Sequence, residues 1–237
     1  MGRAYQNRKE AMAKTSANKS RIYGRYGREL YMVAKSGGTD INGNLALRGL
    51  IERAKRDQVP THVIEKAIEK AKGAGGEDYS VLRYEGFGPG STMVIVECLT
   101  DNPNRTFGDV RQCFHKTNSK IGTQGVVSHM FDHSVILSFK GDEEVVLEAL
   151  MDAGVNVTDI ENENGKITVF TPQSEYSKAK SALAEAFGEI EFDVDEIQFI
   201  PQTYTTISGD DVAMFEKFMD LLNDVDDVQN VYHNAEY

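Results

Sequence analysis

The spacing of apolar residues predicts helices in the first third of the chain. Between residues 20 and 35 the apolar positions recur at helical intervals, namely Ile22, Tyr26, Leu30 and Val33. A second helix is expected over residues 45–57. A third is expected from Thr61, as its cap, to Gly73. Together they predict a small helical bundle that ends at a glycine-rich linker, residues 73–78.

After this linker the pattern changes to that of β-strands alternating with helices. Strands are expected at residues 81–84, 93–99 and 126–131, with a helix beginning at Pro103. Residues 134–200 then follow the order strand, helix, strand, strand, helix, strand. Asn164-Gly165 between the two middle strands is typical of a tight hairpin. This βαββαβ order predicts a ferredoxin-like unit.

The last part of the chain repeats the second half of such a unit. It has a strand at 203–207, a helix at 210–222 and a strand at 228–232, while residues 81–131 supply a first half. We therefore predict an α+β fold of three domains: a three-helix bundle and two ferredoxin-like α/β lobes, one inserted in the other. The predicted bounds are 1–76 for the bundle, 79–133 with 203–237 for the discontinuous lobe, and 134–202 for the inserted lobe.

Charge is distributed unevenly along the chain, whose net charge is −11. Residues 1–76 carry 16 Lys+Arg and 7 Asp+Glu, a net of +9. Residues 77–133 carry 5 and 7, a net of −2, and residues 134–237 carry 5 and 23, a net of −18. This separation predicts one surface that binds a polyanion and another that polyanions avoid. The alternative is that the charges only solvate the surface.

The first predicted helix carries a stripe of positive side chains opposite its apolar face: Arg21, Arg25, Arg28 and Lys35. Guanidinium groups bind phosphate oxygens through paired hydrogen bonds. We predict that this stripe, with Lys14 and Lys19 before it, contacts the phosphates of DNA or structured RNA. The alternative for the stripe is a solvated helix face.

Two further segments have both a binding and a structural interpretation. Arg105 lies at the start of a predicted helix, where the helix end attracts anions, which predicts a second nucleic-acid contact. Simple capping of that helix is the alternative. The glycine-rich residues 86–90 join two strands instead of preceding a helix, so a hairpin turn is favoured over a phosphate-binding loop.

Other classes of function find little support in the sequence. Two cysteines fit a reducing compartment, and the absence of a long apolar run or signal-like start predicts a cytoplasmic protein without a membrane partner. No nucleophile–base pattern or nucleotide-binding motif occurs, so we expect no enzyme, no catalytic residue and no cofactor. An enzyme whose site is assembled only in space remains a distant alternative.

Three long motifs resemble those of the YebC family. They are Tyr84-Glu85-Gly86-Phe87-Gly88-Pro89-Gly90, Ile95-Val96-Glu97-Cys98-Leu99-Thr100-Asp101-Asn102 with Asn104-Arg105-Thr106 after it, and Asp226-Asp227-Val228-Gln229-Asn230-Val231-Tyr232-His233-Asn234. The resemblance implies three domains and a probable DNA-binding transcriptional regulator. Relatives that activate mitochondrial translation make a ribosome- or RNA-associated translation factor the alternative. The start Gly2-Arg3-Ala4-Tyr5 and the lack of tryptophan depart from the family pattern and indicate a divergent subgroup.

The cysteine and histidine spacings predict no structural metal. Cys113 and His115 are two apart and His129 and His133 four apart, without the paired spacing of a zinc site. We expect elemental analysis of the purified protein to find far less than one zinc per chain. Stoichiometric zinc that survives dialysis against a chelator would contradict this.

Overall fold

The computed structural model describes residues 18–73 and 78–237. The chain divides into two compact units. Residues 128–203 form the smaller unit, and the larger unit contains residues 18–73, 78–127 and 204–237. Helices precede antiparallel sheets, which confirms the predicted α+β class. The finer bounds at 76/79, 133/134 and 202/203 remain predictions.

The larger unit begins with the predicted bundle, α1 (Asn18–Gly37), α2 (Leu45–Arg56) and α3 (Thr61–Lys72). Its core consists of the apolar stripe of α1, including Tyr26 and Leu30, packed on apolar residues of α2 and α3. Asn44 caps α2 by accepting from the Leu47 amide at 3.0 Å. The predicted cap of α3 is wrong, because Pro60 occupies the N-cap position and Thr61 is already helical.

The bundle is followed by β1 (Ser80–Phe87), β2 (Met93–Thr100), α4 (Pro103–Lys116) and the short β3 (Lys120–Ile121). The expected strand at 126–131 is wrong. Residues 124–127 form a turn instead, in which Gly125 has a φ of +90°. The Val127 amide there donates to the buried Glu85 carboxylate at 3.0 Å, which holds this segment as a turn against β1.

The smaller unit contains β4 (Phe131–Lys140), α5 (Glu143–Asp152), β5 (Asp159–Glu163), β6 (Lys166–Pro172), α6 (Tyr176–Phe187) and β7 (Val194–Pro201). The strand order is β5-β6-β4-β7 with every pairing antiparallel, which confirms the ferredoxin-like prediction. Asn164 and Gly165, with φ of +55° and +81°, form the predicted tight hairpin between β5 and β6. The apolar face of this sheet packs on α5 and α6.

The chain then returns to the larger unit through β8 (Thr205–Thr206), α7 (Asp210–Asp224), β9 (Val228–His233) and β10 (Ala235–Glu236). β9 pairs antiparallel with β2 and completes a sheet of order β3-β1-β2-β9. The strand expected at 203–207 is confined to the two residues of β8. β8 pairs with β10 in a separate two-stranded sheet. Helices α4 and α7 cover one face of the four-stranded sheet, with Phe114 and Phe218 in contact at 4.8 Å between ring centroids.

The glycine-rich segment 86–90 is a hairpin, as favoured from the sequence. Gly88 donates its amide to the Thr92 carbonyl at 2.7 Å, and Gly90 has a φ of +66°. A Cβ on Gly86 would lie 2.4 Å from the Lys120 carbonyl oxygen and 2.7 Å from the Phe114 ring. Close packing and turn geometry therefore account for these glycines.

Gly86→Ala should destabilise the protein by about 1–3 kcal/mol, because the added methyl group overlaps backbone that cannot move without disturbing β3. The measurement is urea unfolding. Gly108→Ala is the control, since a Cβ there meets nothing within 4 Å in the middle of α4 and should stabilise by about 1 kcal/mol. Equal effects of the two substitutions would contradict this explanation.

Candidate nucleic-acid interface

The predicted arginine stripe lies on one side of α1, and its side chains contact residues 223–229 of the same unit. Arg21 forms an ion pair with Asp224 at the end of α7. Arg25 donates to the Asn223 side-chain oxygen at 3.2 Å, and Arg28 donates to the main-chain carbonyl of Asp226. We call residues 223–227 the acidic turn. The sequence placed the arginines on one face correctly, but it did not indicate these partners.

Further contacts join α1 to the α/β part of the larger unit. In the amide orientation that satisfies both of its ends, Gln229 accepts from Arg28 Nε at 3.1 Å and donates to the Arg25 carbonyl at 3.3 Å. Lys35 forms an ion pair with Asp78 at 2.7 Å. The Tyr31 and Tyr79 rings meet edge to face with centroids 5.7 Å apart. The stripe therefore docks α1 on the α/β part.

These ion pairs lie close to water. The Arg21 and Asp224 side chains are 36% and 56% exposed, and the Lys35 and Asp78 side chains are 39% and 97% exposed. Ion pairs at such positions typically contribute only 0 to about 1 kcal/mol each. A phosphate group could replace the acidic partners at small cost. Phosphate binding by the stripe therefore stays a prediction, and it would compete with the acidic turn.

The remaining predicted contacts differ in their surroundings. Lys19 is exposed near the start of α1, whereas Lys14 lies outside the described residues.

The bundle also presents exposed cations that sequence reasoning missed, namely Arg48, Lys55 and Arg56 of α2 and Lys66, Lys70 and Lys72 of α3. Residues 18–73 carry 12 Lys+Arg and 6 Asp+Glu, a net of +6. In the sequence, the four-residue spacing of Lys66 and Lys70 indicates that the two lysines lie on the same face of α3.

Arg105 combines helix capping with an ion-pair network. Its amide donates to the Asn102 side chain at 3.2 Å, so Asn102 caps α4, as in the structural alternative. Its guanidinium contacts Asp101 and Asp227, each at 2.8 Å. These two carboxylates form ion pairs with the guanidinium group that was expected to contact nucleic acid. A nucleic-acid contact at Arg105 remains a prediction.

Asp227 joins three parts of the larger unit. Its side chain is 9% exposed, and its Oδ2 accepts from Thr106 at 2.8 Å, Thr100 at 3.1 Å and Arg105. Burial by itself would raise the pKa of this carboxyl. The hydrogen bonds from Arg105, Thr106 and Thr100 outweigh that effect, so the pKa of Asp227 is lowered from its usual value.

The described residues offer little basis for metal or nucleophile chemistry. Within them, no group of three or more His, Cys, Asp and Glu side chains is placed to hold a metal ion. Cys98 is buried, and burial raises the pKa of its thiol to about 12, which makes it a poor nucleophile at neutral pH. In the same part of the chain no helix is both long and apolar enough to cross a membrane.

Asp227→Asn should lower the free energy of unfolding at pH 7 by about 1–3 kcal/mol, because Arg105 loses its buried charged partner. The folded-state pKa of Asp227 lies below its unfolded value. Its contribution is therefore complete above the unfolded pKa, near 4, and is lost as the pH falls through the folded pKa. Urea unfolding between pH 7 and pH 2 should show the parent and variant converging at low pH. A constant difference across that range would contradict the assignment.

Sequence comparison places both parts of the chain in one family. Residues 3–74 match the family described as the TACO1/YebC protein N-terminal domain, and residues 79–235 match the TACO1/YebC second and third domain. A protein of Chromohalobacter salexigens is 71% identical over 237 residues, covering 100% of this chain and 99% of its own length. One of Marinobacter nauticus is 72% identical, with 100% and 98% covered. Each is named "Probable transcriptional regulatory protein".

A solved structure resembles most of the chain. The crystal structure of a conserved hypothetical protein from Aquifex aeolicus superposes with a TM-score of 0.75 at 29% sequence identity, covering 94% of this chain and 93% of that one. The family models and the two relatives confirm the resemblance that the three motifs carry. With its N-terminal, second and third domains all matched, the chain belongs to the TACO1/YebC family.

Proposed function

We propose that this chain is a nucleic-acid-binding regulatory protein, a DNA-binding transcriptional regulator of the cytoplasm, and that it is not an enzyme. The observation that carries the proposal is the separation of charge: a net of +6 on residues 18–73 against −18 on residues 134–237. The names of the relatives, "Probable transcriptional regulatory protein", support the regulatory role.

Binding would begin with phosphate contacts on the bundle. Arg21, Arg25 and Arg28 are the principal contacts of the proposal, with Lys35, Lys14, Lys19 and Arg105 as further ones. Phosphate groups would replace the acidic turn at the arginines, since both partners offer oxygen atoms to the same guanidinium groups. The acidic remainder of the chain would repel the polyanion and leave the bundle as the favoured approach.

Structured RNA is the alternative target, in a ribosome- or RNA-associated translation factor. The same charges attract either polyanion, because phosphate contacts position a nucleic acid without specifying it. Crosslinking in cells followed by sequencing separates the targets. Chromosomal DNA supports the proposal, whereas ribosomal or messenger RNA supports the alternative.

We expect duplex DNA binding with a slope of log affinity against log salt of roughly −4 to −6. Replacing Arg21, Arg25 and Arg28 together by Ala should reduce the magnitude of that slope by about 2 to 3, because each lost phosphate contact removes about 0.9. Mobility shift at several salt concentrations measures the slope. Circular dichroism verifies that the variant is folded. A folded triple variant with the parental slope would show that the stripe makes no phosphate contact.

A second variant separates phosphate contact from docking. Asp224→Ala releases Arg21 and should tighten binding, and this gain should vanish in the Arg21→Ala background. Asp220→Ala is the matched control, since it removes an exposed carboxylate from the same helix one turn earlier. A gain of the same size at both aspartates would reflect net charge alone and would contradict competition at Arg21.

A further inference from the structure

The bundle carries a cleft lined by residues of two of its helices. It lies between α1 and α3 and has a volume of about 370 Å³. Tyr23, Gly27 and Tyr31 of α1 line it at four-residue intervals, and His62, Lys66 and Lys70 of α3 line it at the same intervals. Eight residues of helix span about 12 Å, so the two rows run side by side over that length. We call it the α1–α3 cleft.

The lining combines aromatic rings with an edge of positive or ionisable side chains. Tyr23 and Tyr79 are half-buried, while His62, Lys66 and Lys70 are exposed on the α3 side. The Lys70 ammonium lies 5.6 Å from the centre of the Tyr31 ring. Aromatic rings beside a row of cations are the features with which proteins hold single-stranded nucleic acid, since bases stack on rings and phosphates pair with cations.

The glycines of α1 give an independent indication. Gly24 and Gly27 lie inside the helix without a positive φ, and a Cβ on either would meet no atom of the described residues within 4 Å. The structure therefore gives no packing or conformational reason for residues that weaken a helix relative to alanine. Both line the cleft, where the missing side chains let a flat group approach the helix backbone.

We infer that the α1–α3 cleft binds an unstacked base of a single-stranded nucleic acid, with the adjoining phosphates held by Lys66 and its neighbours on α3. A volume of 370 Å³ lies within the range of about 300–1,000 Å³ that small organic ligands occupy. The arginine stripe contacts the acidic turn, whereas the α3 side of the cleft is exposed. The inference rests on the proposed nucleic-acid binding and adds to it a preference for single strands.

The test compares three labelled probes of equal length on the full chain by fluorescence anisotropy: a thymidine strand, an abasic strand with the same phosphates, and a duplex. We expect the thymidine strand to bind roughly tenfold or more tightly than the abasic strand, as one stacked base provides. Tyr23→Leu should bring that ratio close to one while keeping the apolar volume. Lys66→Gln should weaken both single strands equally and reduce the magnitude of the salt slope by about 0.7.

The glycines provide a variant whose fold is not at risk. Gly24→Ala with Gly27→Ala should raise the unfolding temperature, because alanine favours the helix, and should lower the thymidine-to-abasic ratio toward one. Gly49→Ala is the control, since Gly49 in α2 has the same open surroundings but does not line the cleft. It should raise the unfolding temperature and leave the ratio unchanged.

The outcomes separate this inference from the proposed function. Equal, salt-dependent binding of thymidine and abasic strands, or a preference for the duplex, would overturn base binding and leave nucleic-acid binding intact. A glycine variant that is more stable and keeps the parental ratio would likewise overturn it. A parent protein that binds none of the three probes would refute the proposed function and the inference together.

Discussion

The buried carboxylate of Asp227 is the interaction on which the larger unit most depends. A charge removed from water must be satisfied by hydrogen bonds or a counter-charge, and three groups do so here. Thr100 comes from the end of β2, and Arg105 and Thr106 come from the first turn of α4. The start of β9 is thereby fixed against both elements, which holds the returning segment in register although it follows more than a hundred residues later.

Asp226 and the residues just before it connect the surroundings of Asp227 to the helical bundle. Asp226 presents its main-chain carbonyl to Arg28, while Asn223 and Asp224 contact Arg25 and Arg21. Two of the family motifs, residues 95–106 and 226–234, thus meet in space and serve largely to position elements. Their presence in the sequence does not by itself mark a binding site.

Docking of α1 and the proposed phosphate binding would therefore depend on the same property of α1. A row of guanidinium groups attracts oxygen atoms, whether they belong to the acidic turn or to a phosphate backbone. The pair of Arg21 and Asp224 is partly exposed, so a phosphate group would have only a weak ion pair to displace. Exposed cations are also present on α2 and α3. They extend the positive surface beyond the arginine stripe of α1.

The sequence by itself determined the local elements and the distribution of charge. The helices at 18–37, 45–56 and 61–72, the hairpin at Asn164-Gly165 and the ferredoxin-like order follow from short-range periodicity and turn chemistry, which act between near neighbours in the chain. The tertiary structure alone decided which groups meet. In the folded protein Arg105 forms an ion pair with Asp227, and a cleft lies between α1 and α3. The Val127 amide donates to the Glu85 carboxylate, and the segment around Val127 is a turn where a strand was expected. Such contacts depend on the packing of distant segments, and no local pattern records which distant partner a charged or polar side chain will meet.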